Sequence, residues 1–539
     1  MLGNMMDTQL LIIDLLRHAC KRHPLQEVVS RREEGDIHRS NYQEIWQRSS
    51  QLAHALDALG VKAGDCIATL AWNTHRHMEL YYGVSGIGAV LHTVNPRLFS
   101  EQIEYIINHA QDHYVFVDLS FVELLAPLQN KLGSVKGFIV MTDRAHMPET
   151  SLAPLYCFEE LLAQHPDEYD WPRLDENSAA ALCYTSGTTG NPKGVLYSHR
   201  AMVLHAQATA SRELLDLTTD TVLMPMVTMY HAGAWGAPYA APLAGCKLVL
   251  PGAGMDGASM SDLISDERVT VGLGVPTIWL TLHNYWADNN IRDTTLERVC
   301  VGGAASPLGM VKLYQERYGI YWQPIWGMTE TGPLATSLPP TPGIMALPLA
   351  ERYQLQTSAG RAAFGVELGL FAADNQRVCH DGTSRGELRV RGPWISSQYY
   401  RNEDLSAFPD GWLDTGDIAV IDAAGNLRVV DRKKDVIKSG GEWICSVEIE
   451  NIVSQHPGVN ECTVIAARHK KWDERPVLII VPNKNVTVSH EEIVAFLAGK
   501  IARWWTPDRT VIVAELPKTG TGKVLKNELR ELYGNVLVS

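Results

Sequence analysis

The sequence lacks the features of a secreted or membrane-spanning protein. Nine cysteines are scattered along 539 residues without a C-x-x-C pair, which fits buried thiols in a reducing cytosol better than a disulfide framework. No apolar run reaches the roughly 18 residues that a membrane-spanning helix needs. Asp14 and Arg17 interrupt the apolar N-terminal stretch, so it predicts an amphipathic helix rather than a signal peptide. We therefore expect a cytoplasmic protein with no membrane span.

Excess positive charge is also missing. The chain carries 47 Lys and Arg against 61 Asp and Glu, a formal net charge of −14, which argues against a general nucleic-acid binder. No stretch shows the ligand spacing of a structural metal site. The hydrophobic content of 45% and the charged content of 20% are typical of a globular protein.

The chain is too long for a single core, and its pattern changes along its length. Strand-like apolar runs alternate with helical patterns through the first two thirds, which predicts parallel βα units. Residues 366–430 instead show short alternating runs between turns, which predicts an antiparallel β module. Residues 431–435 are all charged and predict a hinge. We expect a large N-terminal domain over 1–431 and a small α/β domain over 432–539.

The stretch YTSGTTGNPKG, Tyr184 to Gly194, indicates a phosphate-binding loop, because its backbone N–H groups and hydroxyls can donate to phosphate oxygens. It is not a P-loop, since the sixth position counted from Gly187 is Pro192 rather than glycine. It is not a nucleophile elbow either, since Tyr184 stands where the pattern around Ser186 needs glycine.

A dinucleotide-type G-x-G-x-x-G pattern occurs at Gly252, Gly254 and Gly257. Pro251 precedes it, and the next strand pattern has no acidic residue at its end to bind a ribose. The pattern is interpreted as a turn.

The loop is similar to the phosphate loop of the adenylate-forming superfamily, and further motifs resemble that family in the same order along the chain. These are PMVTMYHAGAW (225–235), VGGAASP (301–307), WGMTET (326–331), WLDTGD (412–417), DRKKDVIKSGGEW (431–443) and PKTGTGKVLK (517–526). Within the superfamily, the chain most resembles bacterial medium- and long-chain fatty-acyl-CoA synthetases and 3-methylmercaptopropionyl-CoA ligases. The resemblance implies an α/β fold of two βα subdomains plus a small β-barrel module, followed by a mobile C-terminal α/β domain.

The resemblance also implies a set of ATP- and AMP-binding residues. The phosphate loop supplies Thr185, Ser186, Gly187, Thr188, Thr189 and Lys193; the adenine site supplies Gly302, Gly303 and Ala304; the next motif supplies Trp326, Gly327, Met328 and Thr329; and the ribose is bound by Asp417 and Arg432. Small residues suit a position against the adenine, because a larger side chain would fill the slot of the ring. Mg²⁺ is implied at Glu330 and Thr185, since a hard cation prefers oxygen ligands.

Other residues are implied for catalysis, for coenzyme A and for the acid. The catalytic residues are Lys523, Thr185, Glu330 and His231; the hinge and thiol-channel residues are Lys434, Lys438, Gly440, Gly441, Glu442 and Trp443; and the acyl pocket contains His231, Trp235, Gly303 and Gly327. Lys434 corresponds to the pivot of the family's domain rotation, and Lys523 to the lysine of the adenylation step.

The implied activity is that of an ATP-dependent acid–CoA ligase, which forms an acyl-adenylate and pyrophosphate and then transfers the acyl group to coenzyme A. The expected acid is a medium- to long-chain fatty acid, with 3-methylmercaptopropionate and aryl acids as alternatives, because the chain departs from its relatives between Thr228 and Trp235. A non-catalytic nucleotide-binding protein of the same fold would be expected to lack Lys523 or Glu330, and both are present. The family likeness implies a homodimer.

Overall fold

The computed structural model describes residues 3–185, 191–440, 442–484, 486–518 and 524–538. The chain forms four β-sheets flanked by helices, in the mixed α/β arrangement that the sequence predicted. No helix among these residues is both long and apolar enough to cross a membrane. All nine cysteines are free thiols, and most are buried.

The first sheet has seven strands in the order β7-β6-β5-β3-β4-β8-β9. Its neighbours are parallel except for β8 and β9, which form an antiparallel hairpin. Strands such as β3 are buried along their whole length, as expected for a parallel sheet covered on both faces. The strands are β3 (Cys66–Leu70), β4 (Val90–Thr93), β5 (Asp112–Val117), β6 (Gly137–Val140), β7 (Leu155–Cys157), β8 (Ala179–Tyr184) and β9 (Gly194–Ser198).

The second sheet has nine strands in the order β16-β15-β14-β13-β12-β10-β11-β1-β2. Its central strands are parallel, and the outer strands at both edges pair antiparallel with their neighbours. The strands are β1 (Glu27–Arg31), β2 (Ile37–Asn41), β10 (Val222–Pro225), β11 (Lys247–Leu250), β12 (Val271–Gly274), β13 (Arg298–Val301), β14 (Tyr321–Gly327), β15 (Leu334–Ser337) and β16 (Arg361–Ala362).

Helices cover these two sheets. The amphipathic N-terminal helix predicted from the sequence is α1, which buries Ile12, Leu16 and Ala19 on one face. The helix α3 is buried on all sides. The helices of this region are α1 (Ile12–Arg22), α2 (Tyr42–Ala58), α3 (His75–Gly86), α4 (Ser100–Ala110), α5 (Val122–Leu125), α6 (Phe158–Leu162), α7 (His199–Ala210), α8 (Ala237–Ala244), α9 (Gly257–Glu267), α10 (Pro276–Asp288), α11 (Leu308–Tyr318), α12 (Pro342–Met345) and α13 (Leu349–Leu355).

The Gly-rich stretch between β11 and α9 is a turn, as the sequence indicated. Asp256 is the N-cap of α9 and accepts a hydrogen bond from the backbone N–H of Ser259. Gly252 has a positive φ of 61°, and a Cβ there would lie 2.4 Å from the carbonyl oxygen of Arg31. Gly252 allows the chain to turn after β11, and Asp256 begins the next helix.

The antiparallel module predicted at 366–430 consists of β17 (Glu367–Phe371), β18 (Gly386–Arg391), β19 (Leu413–Ile421) and β20 (Leu427–Arg432). The four strands pair in simple sequence order. Within the described residues, β17 and β20 are not paired with each other, so these strands form an open sheet and the expected closed barrel is not confirmed.

The last part of the chain forms a separate small sheet with its own hydrophobic clusters, whereas the three preceding sheets share one large cluster. The fold therefore has a large N-terminal domain and a smaller C-terminal α/β domain. The elements of the small domain are β21 (Ile437–Ser439), β22 (Glu442–Ile444), α14 (Ser446–Val453), β23 (Val459–His469), β24 (Asp473–Pro482), α15 (His490–Leu497), β25 (Arg509–Ile512) and α16 (Lys526–Tyr533).

Candidate active site

The two ends of the Gly- and Thr-rich loop are hydrogen-bonded to each other where the loop connects β8 to β9. The Thr185 N–H donates to the Lys193 carbonyl at 2.9 Å, and the Lys193 N–H approaches the Thr185 hydroxyl oxygen at 3.4 Å. Because the flanking strands are antiparallel, the loop must return to the same edge of the sheet. Ser186, Gly187, Thr188 and Thr189 lie outside the described residues.

Glu330 lies in a short 3₁₀ turn, Thr329–Thr331, directly after β14. Its side chain is only 5% exposed, and the Tyr399 hydroxyl donates to Glu330 Oε1 at 2.7 Å. Burial and the Glu330 charge both raise the pKa of Tyr399, so this hydroxyl keeps its proton at neutral pH and acts as the donor.

The strand that follows the phosphate loop contacts this turn, and Tyr399 links the loop residue Lys193 to Glu330. Tyr197 on β9 donates from its hydroxyl to the Thr329 carbonyl at 2.6 Å. The Lys193 ammonium nitrogen lies 4.8 Å from the centroid of the Tyr399 ring, within cation–π range. Lys193, Thr329 and Glu330 were predicted from separate motifs, and the fold brings them together.

Asp417, the predicted ribose ligand, lies on β19 opposite Arg432 on β20. The carboxylate is 2% exposed. Its Oδ2 accepts from the indole N–H of Trp326 at 3.2 Å, and its Oδ1 lies 3.0 Å from Arg432 Nε. Three residues from three predicted motifs therefore meet at one carboxylate.

The small residues predicted for the adenine site (Gly302, Gly303 and Ala304) and for the following motif (Gly327) have different surroundings. A Cβ on Gly302 would lie 3.0 Å from Ile325, and a Cβ on Gly327 would lie 1.7 Å from the Pro333 carbonyl oxygen. At these two positions a Cβ would crowd the neighbouring chain, so glycine is required by packing whatever else binds there. Gly303 and Ala304 are exposed and remain open to a ligand.

Met328 is half-buried between Gly327 and the 3₁₀ turn. Its backbone N–H donates to the Thr331 hydroxyl oxygen at 2.8 Å, and that hydroxyl also bonds back to the Met328 carbonyl. The local structure of the WGMTET motif is therefore stabilised from inside the motif.

The predicted acyl-pocket segment contains a left-handed turn. Ala232, Gly233, Ala234, Trp235 and Gly236 all have positive φ, between 46° and 83°. Left-handed backbone costs roughly 1–2 kcal/mol for each non-glycine residue, so surrounding contacts must hold this turn in place. Trp235 is 8% exposed and packs beside Gly302, while His231 is half-buried at the start of the turn.

The charged stretch after β20 joins the two domains through ion pairs on either side of Lys434. Lys433 lies 2.7 Å from Glu387 of the large domain. Asp435 pairs with Arg530 of the small domain. Burial lowers the pKa of Lys434, whose side chain is still largely exposed.

The stretch SGGEW begins at the end of β21. Gly440 has a positive φ of 59°, and its N–H donates to the Trp472 carbonyl at 3.0 Å. The Lys438 N–H donates to Glu474 at 2.8 Å, and Trp443 is 38% exposed. Gly441, the Glu442 side chain and Lys523 lie outside the part of the chain that the structure describes.

Comparison with known families agrees with this arrangement. Residues 16–400 match the family described as AMP-binding enzyme, and residues 448–523 match the AMP-binding enzyme C-terminal domain. The chain belongs to the AMP-binding enzyme family. Together the matches cover most of both domains.

This AMP-binding enzyme is 46% identical over 538 residues to the medium-chain-fatty-acid–CoA ligase of Ectopseudomonas oleovorans, covering 100% of this chain and 98% of that protein. It is 44% identical over 537 residues to the 3-methylmercaptopropionyl-CoA ligase of Ruegeria lacuscaerulensis, covering 100% of both. The anthranilate CoA ligase AuaEII, solved with anthranoyl-AMP, shares its fold with a TM-score of 0.86 at 23% identity, covering 99% of each chain.

Sequence reasoning missed two residues that hold the site of this AMP-binding enzyme. One is Tyr399, between Lys193 and Glu330. The other is Asn73, which is fully buried: its amide donates to the Pro225 and Val227 carbonyls at 2.9 and 2.8 Å, and its side-chain oxygen accepts from Met229 N–H at 2.6 Å. Neither residue lies in a motif that the sequence singled out. Each forms its hydrogen bonds with residues that are far away in the sequence, so no local pattern indicated it.

Lys526 stands three residues after Lys523 and is bound within the small domain. It lies 2.8 Å from Glu450 and donates to the Ser446 hydroxyl at 2.7 Å. These contacts give Lys526 a structural role. Lys523 therefore stays the lysine proposed for catalysis.

Proposed function

We propose that this AMP-binding enzyme is an acid–CoA ligase. It activates a carboxylic acid with ATP, releases pyrophosphate, and passes the acyl group from the adenylate to the thiol of coenzyme A. The observation that carries the proposal is the meeting of Lys193, Glu330 and Tyr399, which places a phosphate-loop cation over the ring of one tyrosine and a buried carboxylate at its hydroxyl.

The first half-reaction brings two anions together. A carboxylate oxygen attacks the α-phosphate in line, so the protein must position both groups and stabilise the charge that develops, and no protein nucleophile is required. Thr185, Lys193 and the loop between them bind the triphosphate, and Lys523 approaches the reacting oxygens from the small domain. Asp417 accepts from the ribose hydroxyls, with its orientation set by Trp326 and Arg432.

Glu330 and Thr185 would hold Mg²⁺ together with the phosphates of the nucleotide. A nearly buried carboxylate fits this role, since Mg²⁺ in nucleotide sites is bound by one or two protein oxygens plus phosphate rather than by a protein cage. Among the residues described here, no group of three or more His, Cys, Asp or Glu could hold a metal, which agrees with such a shared site. When bound, the metal supplies charge neutralisation between the phosphates.

The second half-reaction needs a different arrangement at the same site. We assign the pivot to Lys434, because the neighbouring ion pairs tie Lys433 to the large domain and Asp435 to the small one. We propose domain bounds of 1–431 and 432–539, with the hinge at 431–435. Rotation about this point exchanges Lys523 for the Gly440–Trp443 stretch. That stretch then admits the thiol of coenzyme A.

The acid is a straight apolar one of medium to long chain. Support comes from the segment that contains Trp235, which belongs to the large hydrophobic core, and from the medium-chain-fatty-acid–CoA ligase at 46% identity. The 3-methylmercaptopropionyl-CoA ligase at 44% identity keeps a short sulfur-containing acid as the second candidate. We also propose that the enzyme acts as a homodimer in the cytoplasm, which its mass in solution and cell fractionation would test.

The decisive experiment is a screen for ATP-dependent pyrophosphate release with straight-chain acids from C4 to C16, 3-methylmercaptopropionate and cinnamate. Each acid is assayed with and without coenzyme A, and the thioester is measured directly. Release of pyrophosphate with formation of acyl-CoA supports the proposal. Absence of release with every acid, despite measurable ATP binding, would favour a non-catalytic nucleotide-binding protein.

A further inference from the structure

The segment 396–400 joins the phosphate loop to the turn that carries Glu330. The Ser396 N–H donates to the Glu330 carbonyl at 2.8 Å, and the Tyr400 N–H donates to the Gly194 carbonyl at 2.8 Å. The segment therefore contacts both the loop's C-terminal end and the turn's backbone. Tyr399 lies between these two backbone contacts.

Two contacts of Tyr399 set it apart from the other buried tyrosines near the site. Tyr81, Tyr82 and Tyr197 donate to backbone carbonyl oxygens, which any fold uses to satisfy a hydroxyl. The Tyr399 hydroxyl instead donates to the Glu330 carboxylate, and the face of its ring meets the Lys193 ammonium group. One side chain thus contacts an anion at its tip and a cation on its ring.

Lys193 and Glu330 both contact Tyr399, and within the described residues they do not pair with each other. A direct Lys–Glu pair would neutralise both groups and leave neither for the phosphates or a cation. With each group held by Tyr399, Lys193 by the ring face and Glu330 by a hydrogen bond to one of its two oxygens, Lys193 can be directed to phosphate and the second carboxylate oxygen to a cation.

We propose that Tyr399 is a positioning residue that orients the Glu330 carboxylate and holds the Lys193 ammonium group, so that the two groups do not pair with each other and both are in place for the nucleotide and its metal ion. This inference rests on the function proposed above, because it takes Glu330 as the Mg²⁺ ligand and Lys193 as a phosphate ligand. The hydroxyl and the ring have separate roles, and two variants distinguish them.

Tyr399→Phe removes the hydroxyl and keeps the ring. We expect the Mg²⁺ concentration for half-maximal pyrophosphate release to rise by roughly 10- to 100-fold, as for loss of a hydrogen bond to a charged group, while the KM for ATP at saturating Mg²⁺ changes little. Tyr399→Leu also removes the ring, so Lys193 can move towards Glu330. We expect this variant to raise the KM for ATP as well.

The matched control is Tyr114→Phe, which removes a hydroxyl that donates to the Leu59 carbonyl at 2.9 Å on a strand away from the site. Tyr114 and Tyr399 are similarly buried, at 6% and 8% exposed. The control is expected to keep the wild-type Mg²⁺ dependence. In all variants, acyl-CoA formation from preformed acyl-adenylate is measured, because that step involves no triphosphate.

A raised Mg²⁺ requirement in Tyr399→Phe, with the second half-reaction and the Tm near wild type, supports the inference. An unchanged Mg²⁺ dependence would overturn it, as would equal losses in both half-reactions with a lowered Tm, which would make Tyr399 a purely structural residue. Failure of the wild-type protein to release pyrophosphate with any acid would instead overturn the proposed function, so the two failures are distinguishable.

Discussion

Arg432 Nε lies 3.0 Å from Asp417 Oδ1, across two neighbouring strands that lead into the junction between the domains. The Asp417 carboxylate is 2% exposed, whereas the Arg432 side chain is 43% exposed. The buried Asp417 carboxylate is therefore held in one position, whereas the more exposed Arg432 side chain has room to move with the junction between the domains. In the function proposed above, nucleotide binding and domain rotation would both act on this contact.

Asp417→Asn is expected to raise the KM for ATP by roughly 10- to 100-fold, because the amide keeps one acceptor oxygen and loses the charge that binds the ribose hydroxyls. Steady-state pyrophosphate release against ATP concentration measures this. Asp374→Asn is the matched control, since Asp374 only caps a turn in the same sheet through a hydrogen bond from the Gln376 N–H. Equal KM values in the two variants would contradict the ribose role.

Lys523→Ala is expected to slow adenylation by about a hundredfold or more, the usual loss for one preorganised charge contact, and to leave thioester formation from preformed adenylate largely intact. Both half-reactions are measured by rapid quench. Lys518→Ala removes a lysine of the same stretch that pairs with Glu461 at 2.7 Å, and should leave both rates near wild type. Wild-type adenylation in Lys523→Ala would rule out the assignment.

Gly440→Ala is expected to impair the thioester step about tenfold while adenylation persists. A Cβ there would lie 2.9 Å from the Trp472 ring, and the positive φ of 59° strains any other residue. Gly499→Ala has a similar φ of 74° with nothing within 4 Å, so it reproduces the backbone strain without the crowding. If both variants lose the same half-reaction equally, the effect is general destabilisation.

Trp235→Ala is expected to shift the preferred acid by at least two carbons, and wild-type kcat/KM is expected to rise from butyrate to octanoate. Each buried methylene contributes about 0.8 kcal/mol, so chain length reports how deep the pocket is. The Trp235 ring packs beside Gly302, and we expect it to limit that depth. Flat profiles from C4 to C12 in both proteins would contradict a limiting role for the ring.

Asp431 predicts a pH dependence of stability. Its Oδ2 accepts from the Ser446 N–H at 2.6 Å, and burial raises its pKa from 3.8 to about 6 although Lys526 opposes the shift. The folded state therefore holds the proton of Asp431 more tightly than the unfolded state does. The contribution of Asp431 to the free energy of unfolding is fully present below about pH 4 and falls by roughly 3 kcal/mol as the pH rises through about 6.

Asp431→Asn removes this titration. The Tm of the wild-type protein, relative to that of the variant, should fall between pH 4 and pH 7. The substitution also exchanges a hydrogen-bond acceptor for a donor, which displaces the two curves by a constant amount. Parallel curves across the whole range would show that Asp431 does not titrate in this window.

The sequence by itself determined the chemistry and the chain order of the site. Local motifs carried this information through their likeness to the adenylate-forming superfamily, because a loop rich in glycine and hydroxyls, a Thr-Glu turn and the aspartate of WLDTGD offer nucleotide ligands from within short stretches of sequence. The amphipathic helix α1 and the parallel sheets were also predicted correctly, since hydrophobic periodicity is a local property.

Only the tertiary structure decided how these parts meet. Tyr399 bridges Lys193 and Glu330 although 206 and 69 residues separate it from them in the sequence, and no local pattern encodes such a contact. The left-handed turn at Ala232 to Gly236 opposes the backbone preference of alanine and tryptophan. A Cβ at Gly302 or Gly327 would crowd Ile325 or the Pro333 carbonyl oxygen, a packing requirement that the motifs alone did not reveal. In each case contacts between segments that are far apart in the sequence decide the local structure against the local backbone preference. Such contacts cannot be identified from the pattern of a single sequence.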